Sequence, residues 1–129
     1  MKKIAAFAVI IMSCNAKVSE EKLNHEAITL HNSMVQKSNM IAHRLNEIKN
    51  DTAVNQDSVT VLIQLLAQWK NDLVEVPGNE HHGHDHHHQH SPPDVTAEQM
   101  LEIQKDLDMR LGNIGKRAAQ LKPHDQTPH

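Results

Sequence analysis

Aromatic side chains are almost missing from this chain. Among 129 residues there is one tryptophan, one phenylalanine and no tyrosine. Phe7 falls in the first apolar stretch, so Trp69 is the one aromatic left for a folded core. Ligand pockets usually lean on aromatic walls, so the shortage argues against a small-molecule enzyme. Cysteine is nearly as scarce. Cys14 stands alone, which excludes an intramolecular disulfide. There is no basic excess either, with 13 Lys and Arg against 16 Asp and Glu, so the chain lacks an electrostatic footprint for nucleic acid. The N-terminal apolar run, Ile4 to Met12, is far shorter than the roughly 20 residues a membrane-spanning helix needs. Catalytic signatures are missing too: no nucleophile elbow, no phosphate-cradling glycine loop, and no His-Glu-x-x-His helix. The expectation is a non-enzyme.

What is present begins at the N-terminus. Lys2 and Lys3 precede the apolar stretch, in the manner of a signal peptide. Ile11-Met12-Ser13-Cys14 then resembles a lipobox, in which a small residue precedes a cysteine that is acylated and becomes the new terminus. Ile11 replaces the commoner leucine, and Met12 is bulkier than usual. The reading is a bacterial lipoprotein: a signal at residues 1–13, lipidation at Cys14, and a tether over 14–18 ahead of the folded part. An ordinary secretory signal followed by a chance cysteine is the alternative. More than one acyl chain on Cys14 suffices for stable attachment, so the expected location is the cell envelope, on the outer membrane or the periplasmic face of the inner one. Loss of Lys2 and Lys3 takes the formal charge from −3 to −5.

The remainder allows one small domain. Its apolar residues are Leu, Ile, Val, Met and Ala without strand-like alternation, which predicts an all-α fold. Three segments carry helical periodicity. Leu23, Ala27, Leu30, Met34, Ile41, Leu45 and Ile48 share one face of a helix over about 19–50, with Ser19 as its N-cap. Val59, Leu62, Ile63, Leu66, Trp69, Leu73 and Val76 mark a second over 57–76, entered through Asp57 or Ser58 and stopped by Pro77-Gly78. Met100, Ile103, Leu107, Leu111, Ile114, Ala118 and Leu121 mark a third over 96–122, opened by Thr96 and Gln99 at capping-box spacing and closed by Pro123. A polar turn over 51–57 makes the first two helices antiparallel neighbours. The expected architecture is a three-helix up-down-up bundle over 19–122, with a long loop at 77–93 and a disordered tail at 123–129. A coiled-coil dimer is the competing arrangement.

That long loop carries the strongest chemical signal. Glu80 to His90 reads Glu-His-His-Gly-His-Asp-His-His-His-Gln-His, so seven of the twelve histidines lie within ten positions. Imidazoles suit Zn²⁺, Cu²⁺ and Ni²⁺, and carboxylates add oxygen ligands. His81, His82, His84, Asp85, His86, His87, His88 and His90 are the candidate metal ligands. Their spacing defines no single geometry and no single metal. A tolerated hydrophilic insertion is the bland alternative.

The other histidines carry less. His25, His31 and His43 sit off the main stripe of the first helix, which predicts solvated side chains, and none of them forms the i, i+4 pair of a helical metal site. His124 and His129 fall in the tail. Met34 and Met100 lie on core stripes and read as packing. Trp69 reads as a core anchor where helices meet.

Leu30-His31-Asn32-Ser33-Met34-Val35-Gln36-Lys37 resembles a "Leu-His-Asp-Glu-Val-Met-Pro-Lys"-type segment of a family of small Bacteroidota lipoproteins, often labelled viral A-type inclusion proteins. The segment around Trp69 and the run Met100 to Lys105 are similar to that family as well. The resemblance implies a lipid-anchored helical bundle and no reaction; the histidine tract departs from it. Val95-Thr96-Ala97-Glu98-Gln99 is similar to the "Leu-Thr-x-x-Gln" motif of Spy-like periplasmic chaperones and zinc-resistance-associated proteins, though it occurs once here and with valine for leucine. Two functions follow as expectations. One is metal buffering, sensing or delivery by the tract. The other is docking of an envelope protein, or of a second copy, by a helical face.

Overall fold

The computed structural model describes residues 12–79 and 92–121, with side chains from residue 17 onward. Among the described residues the fold is all-helical, with no strand: α1 spans Met12–Ile48, α2 spans Gln56–Asp72 and α3 spans Ala97–Gln120. The candidate ligands at 81–90, the tail from residue 122 and the segment before residue 12 lie outside the described residues.

α1 has 37 residues, about 55 Å of helix. It starts ahead of Ser19, because no proline or glycine interrupts the chain there. Residues 17–22 are all exposed; burial begins in earnest at Ala27. The helix stops at Ile48, where the Gln56 amide donates to the freed Ile48 carbonyl and to the Val54 carbonyl of the following turn. The Asp51 side chain accepts from the Ala53 N–H, closing an Asx turn.

α2 is capped by Asn55, whose side chain accepts from the Ser58 N–H at 2.9 Å. Asp57 and Ser58 therefore lie within the first turn and do not cap it. The helix ends at Asp72, short of the expected Val76. Leu73 turns extended (φ −63°, ψ 126°), and Pro77 in any case disfavours helical geometry at Val76. Residues 73–79 form a strap. Its end is a turn with Pro77 and Gly78 at the central positions, the Asn79 N–H donating to the Val76 carbonyl at 3.1 Å. Gly78 has φ +79°, the left-handed value that a type II turn demands of its third residue.

α3 opens with the expected capping box. Thr96 Oγ1 accepts from the Gln99 N–H, and the Gln99 side chain accepts from the Thr96 N–H. At its far end Arg44 of α1 donates to the carbonyls of Ala118 and Leu121. The helix ends at Gln120, before Pro123 can act.

Two apolar clusters hold the elements together. In the larger, Met34, Ile41 and Leu45 of α1 meet Leu62, Leu66 and Trp69 of α2 and Leu107, Leu111, Ile114 and Ala118 of α3. Trp69 is 1% exposed, and its indole N–H donates to the Leu107 carbonyl at 2.9 Å. In the smaller, Val76 of the strap packs with Ala27, Met100 and Leu101. Contacts between α1 and α3 follow the same order along both helices: Lys37 with Asp108, Ile41 beside Gly115, Arg44 with Ala118. Asp72 of α2 pairs with Arg110.

The two glycines of α3 have different surroundings. A Cβ on Gly112 would meet nothing within 4 Å, whereas one on Gly115 would lie 3.2 Å from Ile41 Cδ1. Gly112→Ala is expected to stabilise the fold by about 1 kcal/mol, the helix-propensity difference. Gly115→Ala should gain clearly less, because Ile41 must give way. Urea denaturation of both variants checks this; equal gains would show that α1 and α3 do not approach closely at Gly115.

Candidate functional site

The described residues flank the histidine tract in sequence without including it. On its N-terminal side the strap is held at several points along the α1 and α3 surfaces. The Asn24 amide donates to the Pro77 carbonyl at 3.2 Å. Asn32 and Asn79 exchange side-chain hydrogen bonds at 3.1 and 3.4 Å. Val76 is 2% exposed. On the C-terminal side the chain returns through Val95, half-buried against the smaller cluster, into the capped start of α3. Asn79 on one side and Val95 with Thr96 on the other are thus the held positions that flank the tract.

Beneath the strap lies a polar node that sequence reasoning misplaced. His31, expected to be solvated, is 2% exposed. Its Nδ1 lies 3.3 Å from Gln104 Oε1 and its Nε2 lies 3.6 Å from Glu75 Oε2. Gln104 is fully buried, and its Nε2 donates to the Val74 carbonyl at 2.9 Å. The physical reason for the correction is the strap itself, which covers the flank of α1 that a bare three-helix pattern leaves open. One signal pointed there: Gln104 interrupts the apolar stripe of α3 between Met100 and Leu107. A polar residue at such a position needs a buried partner. Ser38, also buried, donates to the Val35 carbonyl of its own helix. Among the described residues no buried side-chain N or O atom lacks a partner.

The remaining candidates separate clearly. His25 and His43 are exposed, and His43 Nδ1 lies 3.5 Å from Glu47 one turn on. Met34 and Met100 are buried at 0% and 1% and pack in the two clusters. Cys14 falls within the backbone range of α1, and its side chain lies outside the described residues. Among the described residues no three His, Cys, Asp or Glu side chains converge as a metal site. No described helix is long and apolar enough to cross a membrane. At the surface of α3, Lys105 is held above its ordinary value by its hydrogen bond to Glu102.

A groove of about 310 Å³ runs between α1 and α2. Its floor is apolar, from Ala42, Leu45, Leu66 and Ala67, and Lys49 and Lys70 also line it. Ile63, placed on the core stripe of α2 by periodicity, is 41% exposed and forms part of its wall.

Comparison with protein-family models, with curated proteins and with solved structures finds no match.

Proposed function

We propose that the chain is a non-enzymatic lipoprotein of the cell envelope, attached through Cys14, that presents a metal-binding histidine tract from a three-helix up-down-up bundle. The single observation that carries the metal reading is the density of imidazoles, seven within residues 81–90. Zn²⁺ is the leading ion, with Ni²⁺ and Cu²⁺ suited to the same donors. His81, His82, His84, Asp85, His86, His87, His88 and His90 are the proposed ligands. The anchored strap and the capped start of α3 support this role, since they hold both flanks of the tract against the bundle. The up-down-up arrangement is supported by the ordered pairing of α1 with α3 and by the short 49–55 turn. The role is buffering, sensing or handing metal to an envelope partner. The likeness to small Bacteroidota lipoproteins and to Spy-like proteins agrees with such a location, and nothing in the charge balance favours nucleic acid.

Attachment rests on the lipobox-like Ile11-Met12-Ser13-Cys14. The exposed helical stretch 17–22 then acts as a spacer between the anchor and the packed core. Cys14→Ser is expected to abolish incorporation of radiolabelled palmitate and to release the protein from the membrane fraction. A variant that still takes up label would overturn the assignment.

Metal binding has its own test. Calorimetry on the protein from residue 15 onward is expected to give micromolar or tighter binding of Zn²⁺ that disappears when residues 81–90 are deleted. Affinity should fall steeply from about pH 7 to pH 5.5, because imidazoles titrating near 6.5 lose their lone pairs to protons. Unchanged binding after the deletion would end the reading.

The α1–α2 groove supports a second reading, docking of an envelope protein with the tract incidental. Its apolar floor and the lysines Lys49 and Lys70 suit an amphipathic helix bordered by carboxylates. Capture of an envelope partner that survives chelator but is lost in Lys49→Glu/Lys70→Glu favours docking. Capture that requires zinc favours metal handling.

A further inference from the structure

α1 is one uninterrupted helix from Met12 to Ile48, so the backbone of Cys14 is in register with every later residue of it. No glycine or proline stands between Cys14 and Ile48 to act as a hinge. At roughly 1.5 Å of rise per residue, Lys17 lies about 5 Å from Cys14 along the axis, Asn24 about 15 Å and Ile48 about 51 Å.

Two segments distant in sequence are seated on the early turns of this helix. The Asn24 amide holds the Pro77 carbonyl, and Val95 and Ala97 share a cleft with Lys17, Glu21 and Asn24. Further along α1, His31 meets Gln104, Lys37 meets Asp108 and Arg44 meets Ala118. α3 therefore starts beside the Cys14 end of α1 and finishes near Ile48. Asn79, bonded to Asn32, also belongs to the half of α1 that carries Cys14. Both flanks of the histidine tract thus leave the bundle from that half. The groove between α1 and α2 belongs to the other: Leu45 and Lys49, which line it, are about 45–55 Å from Cys14 along the helix.

We propose that the bundle stands on the bilayer, with the Pro77–Gly78 turn and the start of α3 facing lipid and the α1–α2 groove facing away. This orientation rests on acylation of Cys14, because the lipid decides which end is held. Charge favours standing over lying flat. Without residues 1–13 the chain carries a formal charge of −5, which anionic headgroups repel along its whole length. The anchored end is acidic too, with Glu20, Glu21, Asp94 and Glu98 against Lys17 and Lys22, so acyl chains and not charge hold it near the headgroups. The histidine tract then leaves the fold on the membrane side, and metal bound there exchanges with an acceptor at the membrane. A protein seated in the groove approaches from the aqueous side.

The test uses the lipidated protein purified from membranes. Acylation occupies the Cys14 thiol, the only one in the chain, so a cysteine placed at Glu98 or at Gln120 is the single labelling site. Both positions are exposed, and about 33 Å of α3 separates them. A donor dye at each is read for energy transfer to headgroup-labelled phosphatidylethanolamine in vesicles of phosphatidylcholine and phosphatidylglycerol. Transfer from Glu98→Cys is expected to exceed that from Gln120→Cys several-fold. An alanine-rich helical insertion of about 14 residues between Asn15 and Ala16 raises the bundle by about 21 Å, and should cut transfer from position 98. Equal transfer from the two positions, the result for a bundle lying flat, overturns the orientation, as does an insertion without effect. Protein that fails to float with the vesicles strikes the lipid anchor itself, and the orientation with it.

Discussion

One buried amide governs how this molecule closes. Gln104 sits at 0% exposure on the core face of α3, where a polar group costs on the order of 1–3 kcal/mol if left unpaired. It is satisfied from two directions at once, by the Val74 carbonyl of the strap and by the His31 ring of α1. Three segments distant in sequence must therefore meet at one height in the bundle. Apolar stripes alone would allow helices to slide past one another by a turn. A side chain that needs both a carbonyl and an imidazole at set positions does not. The Trp69 indole repeats the device higher up, tying α2 to the Leu107 carbonyl of α3.

Much of the helical frame was readable in the sequence, because helix formation here is governed by periodicity. Ala27, Met34, Ile41 and Leu45 are buried as their spacing predicts, and so are Leu62, Leu66 and Trp69 on α2. The Thr96–Gln99 capping box and the core position of Met100 were equally local in origin. What escaped was non-local. Val76 fits the helical stripe of α2 by number, and it is buried, but it reaches the core from an extended strap. Nothing in its own neighbourhood distinguishes those two routes to burial. His31 escaped for the same reason: its cover comes from residues more than forty positions away. The histidine tract and Cys14 are readings of composition and of the lipobox pattern alone, and their side chains lie outside the described residues.

Scaffold and proposed chemistry fall in separate stretches of the sequence. The described helices contribute packing, caps and the strap, and their polar groups are largely engaged with one another. The histidines proposed as metal ligands fall between residues 80 and 91, while Cys14, proposed for membrane attachment, lies near the N-terminus. Such a division leaves the bundle free to act as a mount. The strap leads from the bundle toward the tract, with Asn79 as its last residue and Glu80 next in the sequence.

The anchoring of Asn79 to Asn32, together with the capping box at Thr96, has an evolutionary corollary. When both ends of a connection are fixed by their own bonds, its length hardly enters the stability of the fold; doubling a flexible loop costs only about 0.6 kcal/mol. Histidines can then be added or lost between those posts by replication slippage without disturbing the helices. On the proposed metal reading, capacity becomes a quantity that selection can adjust in small steps, while the architecture carrying it is inherited unchanged.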